Sequence, residues 1–244
     1  MKKDIGNPEG LTQAQEKLAG MLFDTKTIAP VRRRITLPDN TFKFEKVERP
    51  TSPIDFAQPG EFALKLHETD PSARLSPIYI NLRNLPQTIL DQVGVVMSEI
   101  PADGKPDVIT GIPKAGTPLA QAYSEHTGIP VVHVFDKEET AESRKIVAGE
   151  ADTSLGSNLR IVDDLATHGD TKIEAAEAAK KMGYTILDLV VLVDRQQGAT
   201  EQLRNAGYIL RSALTLDQLL KFGLRTGRIS KQKYDEVVEY LENS

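Results

Sequence analysis

Apolar runs and helical patterns take turns along most of the chain. Several short runs are apolar without alternating, which is typical of strands that are buried on both faces. These predicted strands are 62–66, 77–82, 108–111, 131–135, 159–162, 186–193 and 208–210. Helical periodicity separates or follows them at 85–100, 117–127, 173–182, 200–206, 216–222 and 231–241. This order predicts an α/β fold with a mostly parallel sheet flanked by helices.

A different pattern occupies the first 59 residues. An amphipathic helix is predicted over 11–28, and the period then changes to two over 32–47. The turn signal Pro38-Asp39-Asn40 lies within that second stretch and predicts a β-hairpin. Three prolines mark 49–59 as a loop or linker. We therefore expect a small N-terminal extension, residues 1–59, before the main domain, residues 60–244.

The composition is that of a globular protein with a substantial core. The 244 residues are 39% hydrophobic and 27% charged, which fits one large α/β domain, alone or with an added arm. Cysteine is absent, which excludes disulfides and thiolate metal sites and is compatible with a reducing cytoplasm. The first residues lack the apolar segment of a secretory signal, and no run is long enough to span a bilayer. We expect a cytoplasmic protein without a membrane partner.

The charge pattern argues against a nucleic-acid partner. The formal net charge is -5, and a generally acidic chain binds nucleic acid poorly unless its basic residues cluster. The one tight basic cluster is Arg32-Arg33-Arg34, and acidic residues soon follow it. We interpret that cluster as a solvated strand or turn.

One strand end carries chemistry that a ligand could use. Asp163 and Asp164 follow the apolar run, and the hydroxyl-bearing loop 167–171 then leads into a helix. The backbone N–H groups of such a loop and of the helix N-terminus suit an anion, above all a phosphate. The two carboxylates can accept hydrogen bonds from sugar hydroxyls, or reach a metal through water. The alternative is a strand, an Asp turn and a helix capped by Asp170, without any ligand.

Other strand-end segments should meet this loop, because ligands bind beyond the carboxyl ends of parallel strands. These segments are 111–118, the charged stretch from residue 136 onward, and 194–198. Gly111 and Gly116 suit a second anion loop around Lys114 and Ala115. An ordinary strand-to-helix turn is the alternative there.

Arg195 stands at the end of the most apolar strand of the chain. A guanidinium in that place can fork onto the carboxylate of a ligand. The alternative is that Arg195 pairs with Asp194 and serves structure alone.

The segment 158–172 resembles the phosphoribosyl diphosphate (PRPP) signature of the type I phosphoribosyltransferases, with its apolar strand, two acidic residues and loop of Thr and Gly. The resemblance implies that Asp163 and Asp164 hold the ribose 2′- and 3′-hydroxyls, while the loop holds the 5′-phosphate. The PRPP-binding residues that it implies here are Asp163, Asp164, Leu165, Ala166, Thr167, His168, Gly169, Asp170 and Thr171. His168 and Asp170 depart from the small residues commonest in the family. The loop with Lys114 and Ala115 is similar to the family's pyrophosphate-binding loop.

Three further segments resemble the orotate phosphoribosyltransferases of that family. Residues 75–83 are similar to their Ser-Pro-Ile-Tyr-x-Asp-Leu-Arg, residues 60–65 to Gly-Glu-Phe-x-Leu-Lys, and residues 194–198 to Asp-Arg-Glu-Gln-Gly. The resemblance implies that Lys65 contacts PRPP. It also implies that orotate contacts Thr167, Arg195, Tyr79 and Ile80.

The segment 136–145 stands where that family carries a mobile catalytic loop. Lys137 matches a family lysine, whereas Asp136 replaces the arginine before it, and the segment contains no histidine. Arg144 and Lys145 could take over the missing roles in a shifted register. The expected catalytic residues are therefore Lys137, Arg144 and Lys145. The segment lacks an apolar period, so we expect an irregular loop that is mobile without ligand.

The resemblance implies a type I phosphoribosyltransferase fold with a small N-terminal hood. The implied reaction joins orotate to PRPP and gives orotidine 5′-monophosphate and pyrophosphate, in pyrimidine biosynthesis. Mg²⁺ is expected to enter with PRPP, without direct protein ligands, and a homodimer is expected because the family's loop comes from the neighbouring subunit. A transferase for another base, or a non-catalytic PRPP or nucleotide sensor, remains open as an alternative.

Overall fold

The computed structural model describes residues 9–62, 74–139, 144–149 and 153–243. The chain forms two compact units. The sheet unit consists of Met1–Leu18 and Leu82–Leu219, and the hairpin unit of Ala19–Asn81 and Leu220–Ser244. The boundary predicted between residues 59 and 60 falls inside the hairpin unit.

Helices and strands follow one another much as the hydrophobic pattern predicts. The strands are β1 (Thr27–Thr36), β2 (Phe42–Thr51), β3 (Ile54–Phe56), β4 (Glu61–Phe62), β5 (Ile78–Ile80), β6 (Val108–Gly111), β7 (Phe135–Glu139), β8 (Arg144–Ala148), β9 (Asn158–Ala166), β10 (Thr185–Asp194) and β11 (Leu210–Thr215). The helices are α1 (Gln13–Asp24), α2 (Gln87–Ser98), α3 (Gly116–Thr127), α4 (Asp170–Lys181), α5 (Ala199–Asn205), α6 (Leu216–Arg225) and α7 (Lys231–Glu242). None of the helices in the described part of the chain has the length and apolar character needed to cross a bilayer.

The hairpin unit contains the predicted β-hairpin, since β1 and β2 pair antiparallel. Strand β4 pairs with the other edge of β1, and β3 pairs with β5. The loop predicted over 49–59 is wrong in part, because β2 continues to Thr51 and β3 follows. Arg49 ties this proline-rich stretch together: its guanidinium lies 2.7 Å from Asp55 and 2.9 Å from Glu61. These ion pairs hold the stretch in a regular conformation, although its proline content predicts a loop.

Four parallel strands form the sheet of the other unit, in the order β11-β10-β9-β6. Val131 adds one parallel bridge to Ile109, on the side of β6 that faces away from β9. The chain therefore leaves β6 toward one side, through α3, and later returns to the other side as β9. A reversal of this kind opens a crevice at the carboxyl ends of the two strands.

The predicted meeting of strand ends at one edge is confirmed for the ends of β6, β9 and β10, whereas the segment from residue 136 onward belongs to a separate two-stranded sheet. Gly111 at the end of β6 lies opposite Val162, and Asp194 at the end of β10 lies opposite Ala166. Strand β9 is longer than predicted, because β10 accompanies it to Ala166 whereas β6 stops at Gly111. Asp163 and Asp164 therefore lie within β9, beyond the end of its shorter neighbour.

Two predictions between α3 and β9 are wrong. Of the strand predicted over 131–135, only Val131 pairs with the sheet, and His133 is exposed. The segment predicted to be an irregular loop forms a hairpin instead, in which β7 and β8 pair antiparallel. Two of its five cross-strand pairs join an acidic and a basic position, with Glu138 across from Lys145 and Glu139 across from Arg144.

Packing of the sheet combines an apolar layer with one buried ionic network. Ala175, Ala176 and Ala179 of α4 are fully buried in the same cluster as Leu159 and Ile161 of β9. The network is centred on Arg160, which has no exposed surface. Its guanidinium donates to Asp188 at 2.8 and 2.6 Å, to the Tyr123 hydroxyl, and to the carbonyls of Ile100 and Pro101.

Candidate functional site

The loop after β6 approaches β9 so closely that two of its residues must be glycine. A Cβ on Gly116 would lie 2.3 Å from the Val162 carbonyl oxygen, and one on Gly111 would lie 2.4 Å from the Gly116 carbonyl. The Ile112 N–H donates to the same Val162 oxygen at 2.9 Å. This close approach places the 111–116 loop against the part of β9 that carries the two aspartates.

A cavity of about 490 Å³ lies between these two segments. Its polar lining consists of Arg83, Asn84, Lys114, Asp163, Asp164 and Thr171, and Ala115 also contributes to it. Its size suits a small ligand with a few convergent polar groups. The structure thus brings together residues from both predicted anion loops, which are about fifty positions apart in the sequence.

Asp163 is held by a lysine that the sequence analysis did not single out. Lys172, in the first turn of α4, donates to Asp163 Oδ2 at 2.7 Å and to the Leu165 carbonyl at 2.6 Å. Both side chains are about nine-tenths buried. The ammonium therefore fixes one carboxylate of the pair and ties it to the backbone two residues farther along β9.

Asp164 has a different environment from its neighbour. Burial, and to a smaller extent the charge of Asp163, raises the pKa of its carboxyl to about 6, while the charge of Lys172 opposes the shift. An ionised carboxylate in such surroundings gains from hydrogen-bond donors. Hydroxyl groups of a bound sugar would supply those donors.

The loop that should hold a phosphate leads directly into α4. Gly169 precedes the helix, Asp170 is its first residue, and Thr171 lines the cavity. The cap predicted for Asp170 is wrong, because Gly169 holds the capping position and Asp170 lies inside the first turn, where a negative charge is favourable. The Gly169 N–H donates to the side-chain oxygen of Gln202 in α5. Gln202 is a second residue that the sequence analysis missed.

Arg195 lies at the predicted edge of the sheet. Its backbone N–H donates to the carbonyl of Ala166 at 2.9 Å. Arg195 therefore lies beside the start of the loop 167–171. The neighbouring Asp194 accepts from the Gln196 N–H at 2.8 Å and from the Thr200 hydroxyl at 3.2 Å. Asp194 thus shapes the turn that follows β10, and Arg195 stands half-buried at the start of that turn.

The remaining predicted site residues lie in other parts of the chain. Tyr79 and Ile80 belong to β5 of the hairpin unit, where burial raises the pKa of the Tyr79 hydroxyl and the Arg49 guanidinium stands 5.8 Å from its ring centroid. Lys137 lies in β7, and Arg144 and Lys145 lie in β8. Lys65 lies outside the described residues.

Four residues of the site region were missed, for different reasons. Arg83 is the last residue of the stretch 75–83, which resembles a motif of the orotate phosphoribosyltransferases, and Asn84 follows it directly. That motif could have indicated both residues. Lys172 follows the loop as an ordinary helix residue, and Gln202 lies 33 positions from its partner. Only the folded chain shows what these last two contact.

The comparison with known families finds a match to the phosphoribosyl transferase domain. That family model matches residues 84–207, about half of the chain. The matched range includes both cavity loops, the hairpin β7–β8 and Arg195.

Two relatives illustrate the similarity of sequence. An orotate phosphoribosyltransferase of Methanopyrus kandleri is 32% identical over 162 residues, which cover 66% of this chain and 82% of that protein. An orotate phosphoribosyltransferase of Caenorhabditis elegans is 27% identical over 186 residues, which cover 75% of this chain and 78% of that protein.

Solved structures show the same fold. The UMP synthase of Leishmania donovani matches with a TM-score of 0.63 and 26% identity, and covers 95% of this chain. This chain spans 43% of that protein's length. An orotate phosphoribosyltransferase of Mycobacterium tuberculosis matches with a TM-score of 0.54 over 84% of this chain and 98% of the other, at 21% identity.

Proposed function

We propose that this chain, which belongs to the phosphoribosyl transferase family, transfers the phosphoribosyl group of PRPP to orotate. The products are orotidine 5′-monophosphate and pyrophosphate. The curated relatives named orotate phosphoribosyltransferase support the choice of base, since one of them is 32% identical to this chain. This places the enzyme among the glycosyltransferases of pyrimidine biosynthesis.

The observation that carries the proposal is the shared cavity of Lys114, Asp163 and Asp164. PRPP joins a pyrophosphate and a diol on one small ring, so its site needs a cation beside hydrogen-bond acceptors. Lys114 and the backbone of its loop supply the first, and the two carboxylates supply the second. The loop at the start of α4 adds N–H groups for the 5′-phosphate.

The reaction forms one bond and breaks one bond at the anomeric carbon of the ribose. A ring nitrogen of orotate provides the electron pair for the new bond and releases its proton to the medium. The departing pyrophosphate keeps the pair of the broken C–O bond. The transition state resembles a ribosyl oxocarbenium ion. The protein contributes position and charge: Asp163 and Asp164 hold the ribose, and Lys114 faces the negative charge that grows on pyrophosphate.

Mg²⁺ fits this donor set as a companion of the substrate. Within the described ranges, no three His, Asp or Glu side chains are gathered closely enough to hold a metal ion. Mg²⁺ keeps several waters and is commonly bound through one or two carboxylates together with substrate phosphates. Asp163 and Asp164 would contact its waters, and the bound ion would neutralise part of the pyrophosphate charge.

Orotate differs from the other pyrimidine bases by its carboxylate. Arg195, whose backbone N–H bonds to Ala166 just before the loop 167–171, is the residue that we assign to that group. A guanidinium binds a carboxylate through two parallel hydrogen bonds. Lys137, Arg144 and Lys145 of the hairpin β7–β8 are the cations that we assign to the closed state. As in the family, that hairpin would close over the site of a neighbouring subunit, so we propose a homodimer.

A turnover assay tests the proposal. The protein is mixed with PRPP, Mg²⁺ and either orotate, uracil or hypoxanthine, and nucleotide and pyrophosphate are measured. Nucleotide formed from orotate, and little from the other bases, is the expected result. If another base gives more nucleotide than orotate, that base is the acceptor of the phosphoribosyl group and the orotate assignment is wrong. Binding of PRPP without turnover of any base would instead favour a PRPP sensor.

A further inference from the structure

Lys172 occupies a place where a lysine is costly for the helix that carries it. It lies in the first turn of α4, where the helix dipole favours negative charge and disfavours positive charge. Its ammonium is also withdrawn from water, and a buried charge needs close partners. Both partners belong to β9, the strand that carries the carboxylate pair. The lysine therefore serves that strand end rather than its own helix.

We propose that Lys172 is a positioning residue for PRPP, which holds Asp163 in the orientation that receives the ribose hydroxyls. The proposal rests on the function proposed above. Lys172 donates to Asp163 Oδ2 at 2.7 Å and to the Leu165 carbonyl at 2.6 Å. Two short bonds from one ammonium remove the side-chain rotation that a free aspartate keeps. The entropy of ordering Asp163 is then lost on folding and not on binding, which favours affinity.

Charge gives Lys172 a second effect on the same step. Two adjacent carboxylates line a cavity that must accept a ligand with several negative phosphate oxygens. The ammonium at 2.7 Å cancels much of the field of Asp163 at short range. Asp163 can thus remain a hydrogen-bond acceptor for the sugar without repelling the phosphates as strongly as an unpaired carboxylate would.

The test compares variants of Lys172 with a matched control. Lys172→Met removes the charge and both hydrogen bonds, and Lys172→Gln keeps a donor but not the charge. Lys172→Arg keeps the charge. Lys180→Met is the control, because Lys180 lies on the same helix with its side chain 54% exposed. Its contacts are loose and lie away from β9: the ammonium is 3.6 Å from Glu177 and 5.6 Å from the centroid of the Tyr208 ring. Calorimetric titration with PRPP and steady-state kinetics with orotate and PRPP are the measurements, on the full chain with Mg²⁺.

We expect Lys172→Met to weaken PRPP binding by about tenfold or more, as for a lost charge-assisted hydrogen bond. KM for PRPP should rise more than kcat falls, and KM for orotate at saturating PRPP should change little. Lys172→Arg should recover part of the affinity, and Lys180→Met should stay within about twofold of the native protein. If Lys172→Met does not fold, Lys172→Gln carries the test and should still weaken PRPP binding.

A double-mutant cycle separates positioning from a merely structural effect. If Lys172 acts through Asp163, the loss in PRPP affinity for Lys172→Gln with Asp163→Asn should be smaller than the sum of the two single losses. Additive losses would overturn the proposal, and so would full PRPP affinity in a folded Lys172→Gln variant. If the native protein binds no PRPP, the proposed function itself is contradicted. If the native protein binds PRPP and the Lys172 variants bind it equally well, only the role of Lys172 is contradicted.

Discussion

Strand β9 carries two buried ion pairs that differ in how completely they are satisfied. Near its start, Arg160 pairs with Asp188, and all five of its N–H donors have acceptors. Arg211 also donates to Asp188, at 3.0 Å. Near the end of β9, Lys172 pairs with Asp163, but that carboxylate and its neighbour Asp164 line a cavity.

The two pairs show how an ion pair that only stabilises the fold differs from one that belongs to a ligand-binding site. The Arg160 network is closed, because protein groups take up its hydrogen-bonding capacity and neither side chain is exposed. The Lys172–Asp163 pair is open, since Asp163 and its neighbour Asp164 line a cavity large enough for a ligand. Burial also raises the pKa of Asp164 to about 6. Buried polar groups are normally satisfied, so capacity that is held toward a cavity points to a ligand.

Breaking the closed pair should have the largest effect, and the effect should be on stability. Arg160→Met leaves Asp188 buried with Arg211 as its remaining partner, which should lower the free energy of unfolding by about 3–5 kcal/mol. Urea unfolding measures this change. In the folded fraction PRPP affinity should stay within about twofold. A further Asp188→Leu substitution should recover part of the loss, and a stability loss that the second change deepens would contradict the account.

The hairpin β7–β8 offers the next largest effect, which should be on turnover. Arg144 and Lys145 lie opposite Glu139 and Glu138 in its register, so their charges are either structural, like that of Arg160, or held for pyrophosphate. We expect Arg144→Ala or Lys145→Ala to lower kcat by about 10²–10³-fold, because each would remove a cation from the departing group. PRPP affinity, measured by calorimetry without orotate, should change little. Full turnover in both variants would show that the hairpin is structural.

Arg195 follows the carboxyl end of β10, whereas Arg160 lies near the opposite end of the same sheet. Arg195→Ala should weaken orotate binding by about 1.5–3 kcal/mol, the worth of a hydrogen bond between charged groups. PRPP binding and stability should change far less. Equilibrium binding of orotate in the presence of pyrophosphate and Mg²⁺ measures the effect. Equal losses for orotate and PRPP would remove Arg195 from the base site.

The smallest effect concerns Asp164 and depends on pH. Burial raises the pKa of its carboxyl in the folded protein to about 6 from 3.8, so the folded state holds the proton more tightly than the unfolded state. Stability should therefore fall as pH rises between these values, and the cost should be complete above about pH 6. Asp164→Asn should then stabilise the ligand-free protein at pH 8 by on the order of 1–3 kcal/mol, but hardly at pH 4. Unfolding in urea at both pH values tests this, and equal effects at both would contradict it.

Much of the sheet unit could be predicted from the sequence. The apolar runs at β6, β9 and β10 are typical of strands that are buried on both faces. Gly128, with φ of 73°, ends α3 at the residue where the helical pattern ends. The edge on which Gly111, Asp163 and Arg195 meet follows from that topology alone. Parallel strands fix it because their carboxyl ends share one side of a sheet.

The parts that were missed depend on pairing between distant residues. The hairpin β7–β8 has no apolar period, and two of its five cross-strand pairs join positions of opposite charge instead. Lys172 looks like any solvated helix lysine until α4 packs and brings it to Asp163, nine residues away. Strand β11 begins at Leu210, later than predicted, because the Tyr208 N–H still bonds back to Leu203 of α5.

Thermal unfolding with and without PRPP and Mg²⁺ tests the central contrast most directly, because one experiment reports both stability and ligand binding. We predict that Arg160→Met lowers the ligand-free Tm and keeps the Tm shift produced by PRPP. We predict that Asp164→Asn keeps or raises the ligand-free Tm and loses most of that shift. The opposite assignment, with the PRPP shift lost in Arg160→Met and retained in full by Asp164→Asn, would contradict the account.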